Sequence, residues 1–158
     1  MDNDSKQEMD LTPEEGQLLF RFFTEIGIIN QLTRAMMETH FPPNLTATHF
    51  GIIGHLSRRP KGETPNQLAL AFQVPKTTMT HMLKVLVTHG FIAIGPHPTD
   101  GRSKNVTVTP DGLAFVQQNM KQMAPAMAQI LSVAGTEQIA SLLPGLENIR
   151  KVMDAARD

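Results

Sequence analysis

Three Thr-Pro pairs, Thr12-Pro13, Thr64-Pro65 and Thr109-Pro110, constrain this chain more than any other feature. A threonine hydroxyl accepts a hydrogen bond from the first free N–H groups of a helix. A proline in the next position starts that helix with a preset φ where no N–H partner is needed. After the first two pairs, Glu15 and Gln67 stand three residues beyond the threonine, so both read as capping boxes. Helix starts are thereby set at Pro13, Pro65 and Pro110, and the chain between them has to be mainly helical.

The apolar pattern fills in the rest. Leu18, Leu19, Phe22, Phe23, Ile26, Ile29, Leu32, Met36 and Met37 recur at helical spacing until Pro42-Pro43, which predicts a first helix of about 27 residues. A helix that long and amphipathic calls for a partner helix. Thr46 caps a second helix with Phe50, Ile53 and Leu56, ending before Arg59-Pro60. The third is short, through Leu68, Leu70 and Phe72. A turn at Gln73-Val74-Pro75 opens a fourth, with Met79, Met82, Leu83, Leu86 and Val87 on its apolar side and Gly90 as its stop. Pro75 gives this fourth helix no side-chain cap. Residues 91–94 and 105–108 alternate as strands around a loop rich in Gly, Pro and Asp, a hairpin pattern. A fifth helix follows Thr109, and a sixth starts at Thr136-Glu137. Pro125 and Pro144 are expected to kink or break these two.

Helix, short helix, helix, hairpin is the order of a winged helix-turn-helix, so the fold class is mainly α with a small β-wing. On the fourth helix Lys76, Thr77, Thr80, His81 and Lys84 fall opposite the apolar side. Hydroxyls, an imidazole and two ammonium groups are suitable partners for base edges and phosphates. Charge agrees with this. The net charge of 158 residues is −1, yet from His55 to Lys104 seven cations face only Glu63 and Asp100. A basic middle between acidic ends points to a polyanionic partner.

Residues 45–112 resemble the MarR family of bacterial transcription regulators. The likeness is carried by Gln67-Leu68-Ala69, by Lys76-Thr77-Thr78-Met79-Thr80, by Leu86 with Gly90-Phe91-Ile92, and above all by Asp100-Gly101-Arg102-Ser103-Lys104 leading to Val108-Thr109 and Gly112. It implies a homodimer on double-stranded, pseudo-palindromic DNA. Its expected DNA contacts are Thr64, Gln67, Lys76, Thr77, Thr78, Thr80, His81, Lys84, Arg102 and Lys104, with Asp100 and Gly101 shaping the wing. A planar guanidinium such as that of Arg102 suits a narrow, electronegative minor groove. The chain departs from relatives that carry a basic pair after the first wing strand, since Ile94-Gly95 stands there.

The implied layout is a disordered tail at 1–11, an N-terminal dimerisation helix at 12–44, the DNA-binding domain at 45–109 and C-terminal dimerisation helices at 110–158. The family also implies a small aromatic or phenolic effector. Position alone suggests Met36, His40 and His49 for its pocket, in a chain whose ten methionines suit a plastic site. The expected role is a repressor released by that ligand. The rival is a ligand-binding or protein-interaction module on the same fold with weak or no DNA affinity.

Other functions find little footing. The absence of cysteine rules out disulfides, thiolate metal sites and cysteine nucleophiles. His49 and His55, six apart, project from different helix faces and there is no HExxH, so no metal is expected. With no GxSxG, P-loop or GxGxxG, neither an enzyme nor a cofactor is expected. No apolar run is long enough for a bilayer, and the polar start MDNDSKQEMD is unlike a signal peptide, so the expected place is the cytoplasm without a membrane partner.

Overall fold

The computed structural model describes residues 10–99 and 103–156. Backbone proximity divides the chain between Ala47 and Thr48 into two compact units.

The first unit is built on α1 (Pro13–Glu38). Its start is the capping box expected from Thr12. The Glu15 N–H donates to Thr12 Oγ1 at 3.2 Å and the Thr12 N–H donates to Glu15 Oε2 at 2.9 Å. Donation from the Thr12 N–H, and next from the Thr12 side chain, holds the Glu15 carboxyl below its ordinary value. No residue of α1 is buried, and Leu18, Phe20, Ile29 and Leu32 are all more than half exposed.

The second unit carries α2 (Ala47–Ser57), α3 (Pro65–Ala71), α4 (Lys76–Thr88), β1 (Ile92–Pro96), β2 (Lys104–Val108), α5 (Pro110–Ala134) and α6 (Thr136–Ala155). Its core lies where α2, α3, α4 and the hairpin meet, on Ile52, Ile53, Leu56, Leu68, Met79, Leu83, Leu86, Ile92 and Val106. The other two threonine caps also form. Thr64 and Gln67 make the second capping box, and Thr109 Oγ1 accepts from the Gly112 N–H at 3.1 Å. This mainly helical chain with one small antiparallel sheet is the fold class that the order of elements implied.

Four local expectations are corrected. The hairpin pairs Ile92 with Val108 and Pro96 with Lys104, so β1 begins one residue later and runs two residues further than the alternation indicated. The Phe91 N–H is already taken by the Leu86 carbonyl at 3.0 Å, which closes α4 before the ladder starts. Leu70 is not a core residue but is 69% exposed on α3, and Phe72 is the C-cap of that helix. Of the two outcomes expected at Pro125 and Pro144, a kink or a break, the break does not occur, since both prolines lie inside continuous helices. Each removes one N–H donor on an exposed stretch, where water can serve the freed carbonyl. Finally, the wing is more than a hairpin. Glu63 forms a bridge to Val106, its N–H donating to the Val106 carbonyl at 3.1 Å and its carbonyl accepting from the Val106 N–H at 2.8 Å.

That third contact depends on Gly62. With φ at +74° it occupies the left-handed region, and a Cβ there would lie 2.5 Å from the Val106 carbonyl oxygen. Only glycine lets the α2–α3 loop approach β2 so closely. The Asn105 side chain secures the same loop, donating from Nδ2 to the Lys61 carbonyl at 2.9 Å.

Candidate nucleic-acid interface

The two faces of α4 differ in kind. Met79, Leu83 and Leu86 are buried, whereas Lys76, Thr77, Thr80, His81 and Lys84 are exposed and Thr78 is half-buried. Pro75 at the N-cap makes no side-chain hydrogen bond to the helix. The first-turn N–H groups of α4 are therefore left to water or to an incoming anion.

Two concavities flank this exposed face. One of about 480 Å³ is lined by Thr64, Pro65, Asn66, Lys76, Thr80, Ser103 and Lys104, and so joins the starts of α3, α4 and β2. The other, of about 860 Å³, lies between the second half of α4 and the hairpin and includes Lys84, Ile94, Gly95 and Lys104. Lys104 borders both. Lys76, Lys84 and Lys104 are thus gathered on one side of the unit, and none forms an ion pair with a described residue. Ile94 is 40% exposed beside them.

Not every residue expected at the interface is equally free. Thr64 Oγ1 accepts from the Gln67 N–H at 3.2 Å and donates to Gln67 Oε1 at 3.0 Å, while Gln67 Oε1 also accepts from the Thr64 N–H at 2.8 Å. Thr64 therefore spends its hydroxyl on capping α3, and the exposed Gln67 keeps its amide NH₂ as an outward donor. Thr80 Oγ1 donates to the Lys76 carbonyl at 2.8 Å. Asp100, Gly101 and Arg102 lie outside the described residues. At the base of their loop the His97 N–H donates to the Ser103 carbonyl at 2.9 Å.

Arg59 was counted with the cations of the basic middle, but its guanidinium is paired with Glu63. The other Glu63 oxygen lies 2.8 Å from His55 Nε2, and Arg59 Nη1 lies 3.3 Å from His55 Nδ1. This cluster fixes the residue that bridges to Val106, so it supports the wing rather than extending its charge. Pattern reading missed Gly62, Glu63 and Asn105 as supports, because a bridge between a loop and a strand leaves no periodic trace. It also missed Asn66, a polar residue of the smaller concavity that lies in no quoted run, and gave Ser103 of the wing run no role of its own.

The residues suggested for an effector pocket are not gathered into one unit. Met36, half-buried, and His40, exposed, belong to the first, and the buried His49 to the second. Burial, with His81 and His89 adding repulsion, holds the His49 imidazole below its ordinary value of 6.5. The unfolded imidazole therefore binds a proton more readily than the folded one. His49 leaves stability intact above pH 6.5 and erodes it as pH falls below that value. The melting temperature is expected to drop between pH 7 and pH 5.5, with a shallower drop in His49→Gln. Equal slopes in the two proteins would show that His49 is not responsible. Among the described residues no three His, Cys, Asp or Glu groups are placed to share a metal ion, and no helix is long and apolar enough to cross a membrane.

A capped short helix, a turn, a polar-faced helix and a two-stranded wing closed by a bridge define a winged helix-turn-helix protein. Residues 44–103 match the MarR family model. The chain is 26% identical over 132 residues to the HTH-type transcriptional regulator PecS of Dickeya dadantii, covering 80% of each. It is 34% identical over 95 residues to the multiple antibiotic resistance protein MarR of Salmonella typhimurium, covering 59% of this chain and 65% of that protein. Through this domain the chain is similar to regulators of the MarR family. Solved structures share the fold. A MarR variant from E. coli complexed with operator DNA superposes with a TM-score of 0.68 at 23% identity, over 83% of this chain and 94% of that one. The PcaV regulator from Streptomyces coelicolor, in complex with its natural ligand, does so at 0.63 and 20% identity, over 94% and 97%.

Proposed function

We propose that this protein is a homodimeric transcriptional repressor acting in the cytoplasm, which inserts α4 into the major groove of a pseudo-palindromic operator and sets its wing against the backbone or minor groove. The observation that carries the reading is the convergence of Lys76, Lys84 and Lys104 beside an α4 N-terminus without a side-chain cap. Positive charge, free N–H groups and an exposed polar helix face answer the three demands of duplex binding: attraction, phosphate positioning and base readout. In this reading Lys76, Lys84 and Lys104 hold phosphates, Thr77, Thr78, Thr80 and His81 read bases, Gln67 donates to a phosphate, and Arg102 reaches the narrow groove.

Residues 12–44 and 110–158 supply the dimer. No residue of α1 or α6 is buried, and Leu142, Leu143, Leu146, Val152 and Met153 of α6 are exposed. Apolar helix faces of this extent are ordinarily covered by a partner. A small aromatic or phenolic ligand would then release DNA in one way. It must bind better to a dimer whose two α4 helices depart from the spacing of about 34 Å that successive major grooves require.

Salt titration of binding to the protein's own upstream region tests this. With Lys76, Lys84, Arg102 and Lys104 from both protomers, the logarithm of affinity should fall against the logarithm of salt with a slope near −7. Arg102→Ala should flatten the slope by about 2. A wild type without salt-sensitive binding would instead favour the rival module, and a slope steeper than about −8 would mean that cations outside this set hold the DNA.

A further inference from the structure

We infer that Thr80 confers specificity by sensing the C5-methyl group of a thymine in each half-site. The inference rests on the DNA-binding reading above, and it follows from what Thr80 has left to offer. Of the exposed side chains on the reading face of α4, Thr80 is tied back to its own helix, its hydroxyl proton given to the Lys76 carbonyl at 2.8 Å. Such back-bonding fixes the rotamer and turns an apparent donor into a methyl group with an acceptor lone pair. Rotating the hydroxyl outward would only exchange one hydrogen bond for another, so nothing favours its release.

The second observation is the wall beside it. Thr80 lines the smaller concavity together with Pro65, whose ring offers neither a hydrogen-bond donor nor an acceptor, while Thr64, Asn66, Lys76, Ser103 and Lys104 border the same space. A small apolar patch is thus set inside a cationic cleft. Among major-groove features only thymine presents a methyl group, and it does so between the phosphates that lysines would hold. Cytosine N4 and adenine N6 would offer donors to the remaining lone pair but would leave the methyl and the proline ring against polar atoms. Thr77 and His81, exposed neighbours of Thr80 on the same helix face, remain for the hydrogen-bonded part of the readout.

Selecting sites from a random duplex library with the wild-type protein, then replacing each thymine of the selected half-site by uracil, isolates the methyl group. At one thymine per half-site uracil should weaken wild-type binding about four-fold, the effect of one lost methyl contact. Thr80→Ser keeps the hydroxyl and its bond to the helix, and should bind the thymine and uracil duplexes equally at that position. Wild-type binding that is insensitive to uracil at every thymine would overturn the inference, as would an unchanged sensitivity in Thr80→Ser. Either result leaves the DNA-binding reading standing. Failure to select any site would overturn both.

Discussion

Gly112→Ala is expected to lose about 3 kcal/mol or more of folding free energy in urea denaturation, although it puts a better helix former into a helix. A Cβ at Gly112 would lie 2.1 Å from the Phe91 carbonyl oxygen and 3.0 Å from both the Phe91 carbonyl carbon and Val108 Cγ2. Neither side can yield cheaply. The Phe91 carbonyl accepts from the Thr109 N–H at 3.1 Å, and Thr109 Oγ1 is held by the Gly90 carbonyl at 2.6 Å. Lifting the first turn of α5 instead would strain the Thr109 cap on the Gly112 N–H and the stacking of Phe115 on Phe91, whose ring centres are 4.5 Å apart. Gly27 is the internal control, because its Cβ would meet nothing within 4 Å. Gly27→Ala should gain about 0.5–1 kcal/mol. A Gly112→Ala protein as stable as the wild type would show that α5 docks on the wing more loosely than this close approach requires.

The double change Lys84→Ala with Lys104→Ala should weaken operator binding by about three orders of magnitude at 0.1 M salt and reduce the salt slope by about 3.6. Four phosphate contacts vanish from a dimer, and each carries about 0.9 of slope through released counterions. Binding lines for the two proteins, plotted against the logarithm of salt, should therefore converge near 1 M. Folding should be untouched, since both lysines are exposed and form no ion pair with a described residue. Parallel lines, with affinity lost but slope unchanged, would mean that these side chains act on the shape of the wing and not on phosphate.

What could be read from the residues and what could not divides along a physical boundary. Thr12, Thr64 and Thr109 disclosed their helix starts because a cap is a contact between residues three apart, and Pro75 disclosed the missing cap of α4 for the same reason. The alternate faces of α4 were legible because helical period decides which side meets a core. The bridge from Glu63 to Val106 joins residues far apart in sequence, and no local pattern records such a meeting. Leu70 misled for a related reason: its hydrophobicity signals burial only if another element covers α3 at that point, and among the described residues none does. Thr80 counted as a hydrogen-bond donor until its bond to Lys76 showed where the proton goes. Asp154 of α6 shares a concavity of about 670 Å³ with Gln73, Val74, Pro75 and Lys76, a neighbourhood that nothing in the residue order announces.

The separation of faces on α4 also bears on how such proteins diverge. Met79, Leu83 and Leu86 tie the helix to the core, and Thr77, Thr80 and His81 contribute nothing to that core. If these three exposed positions read bases as proposed, a change at any of them would alter what sequence is read at a stability cost usually within about 0.5 kcal/mol. New operators are therefore within reach of single substitutions on a scaffold that does not have to be refitted. Duplicated copies of the gene could part company in their targets long before they differed in fold.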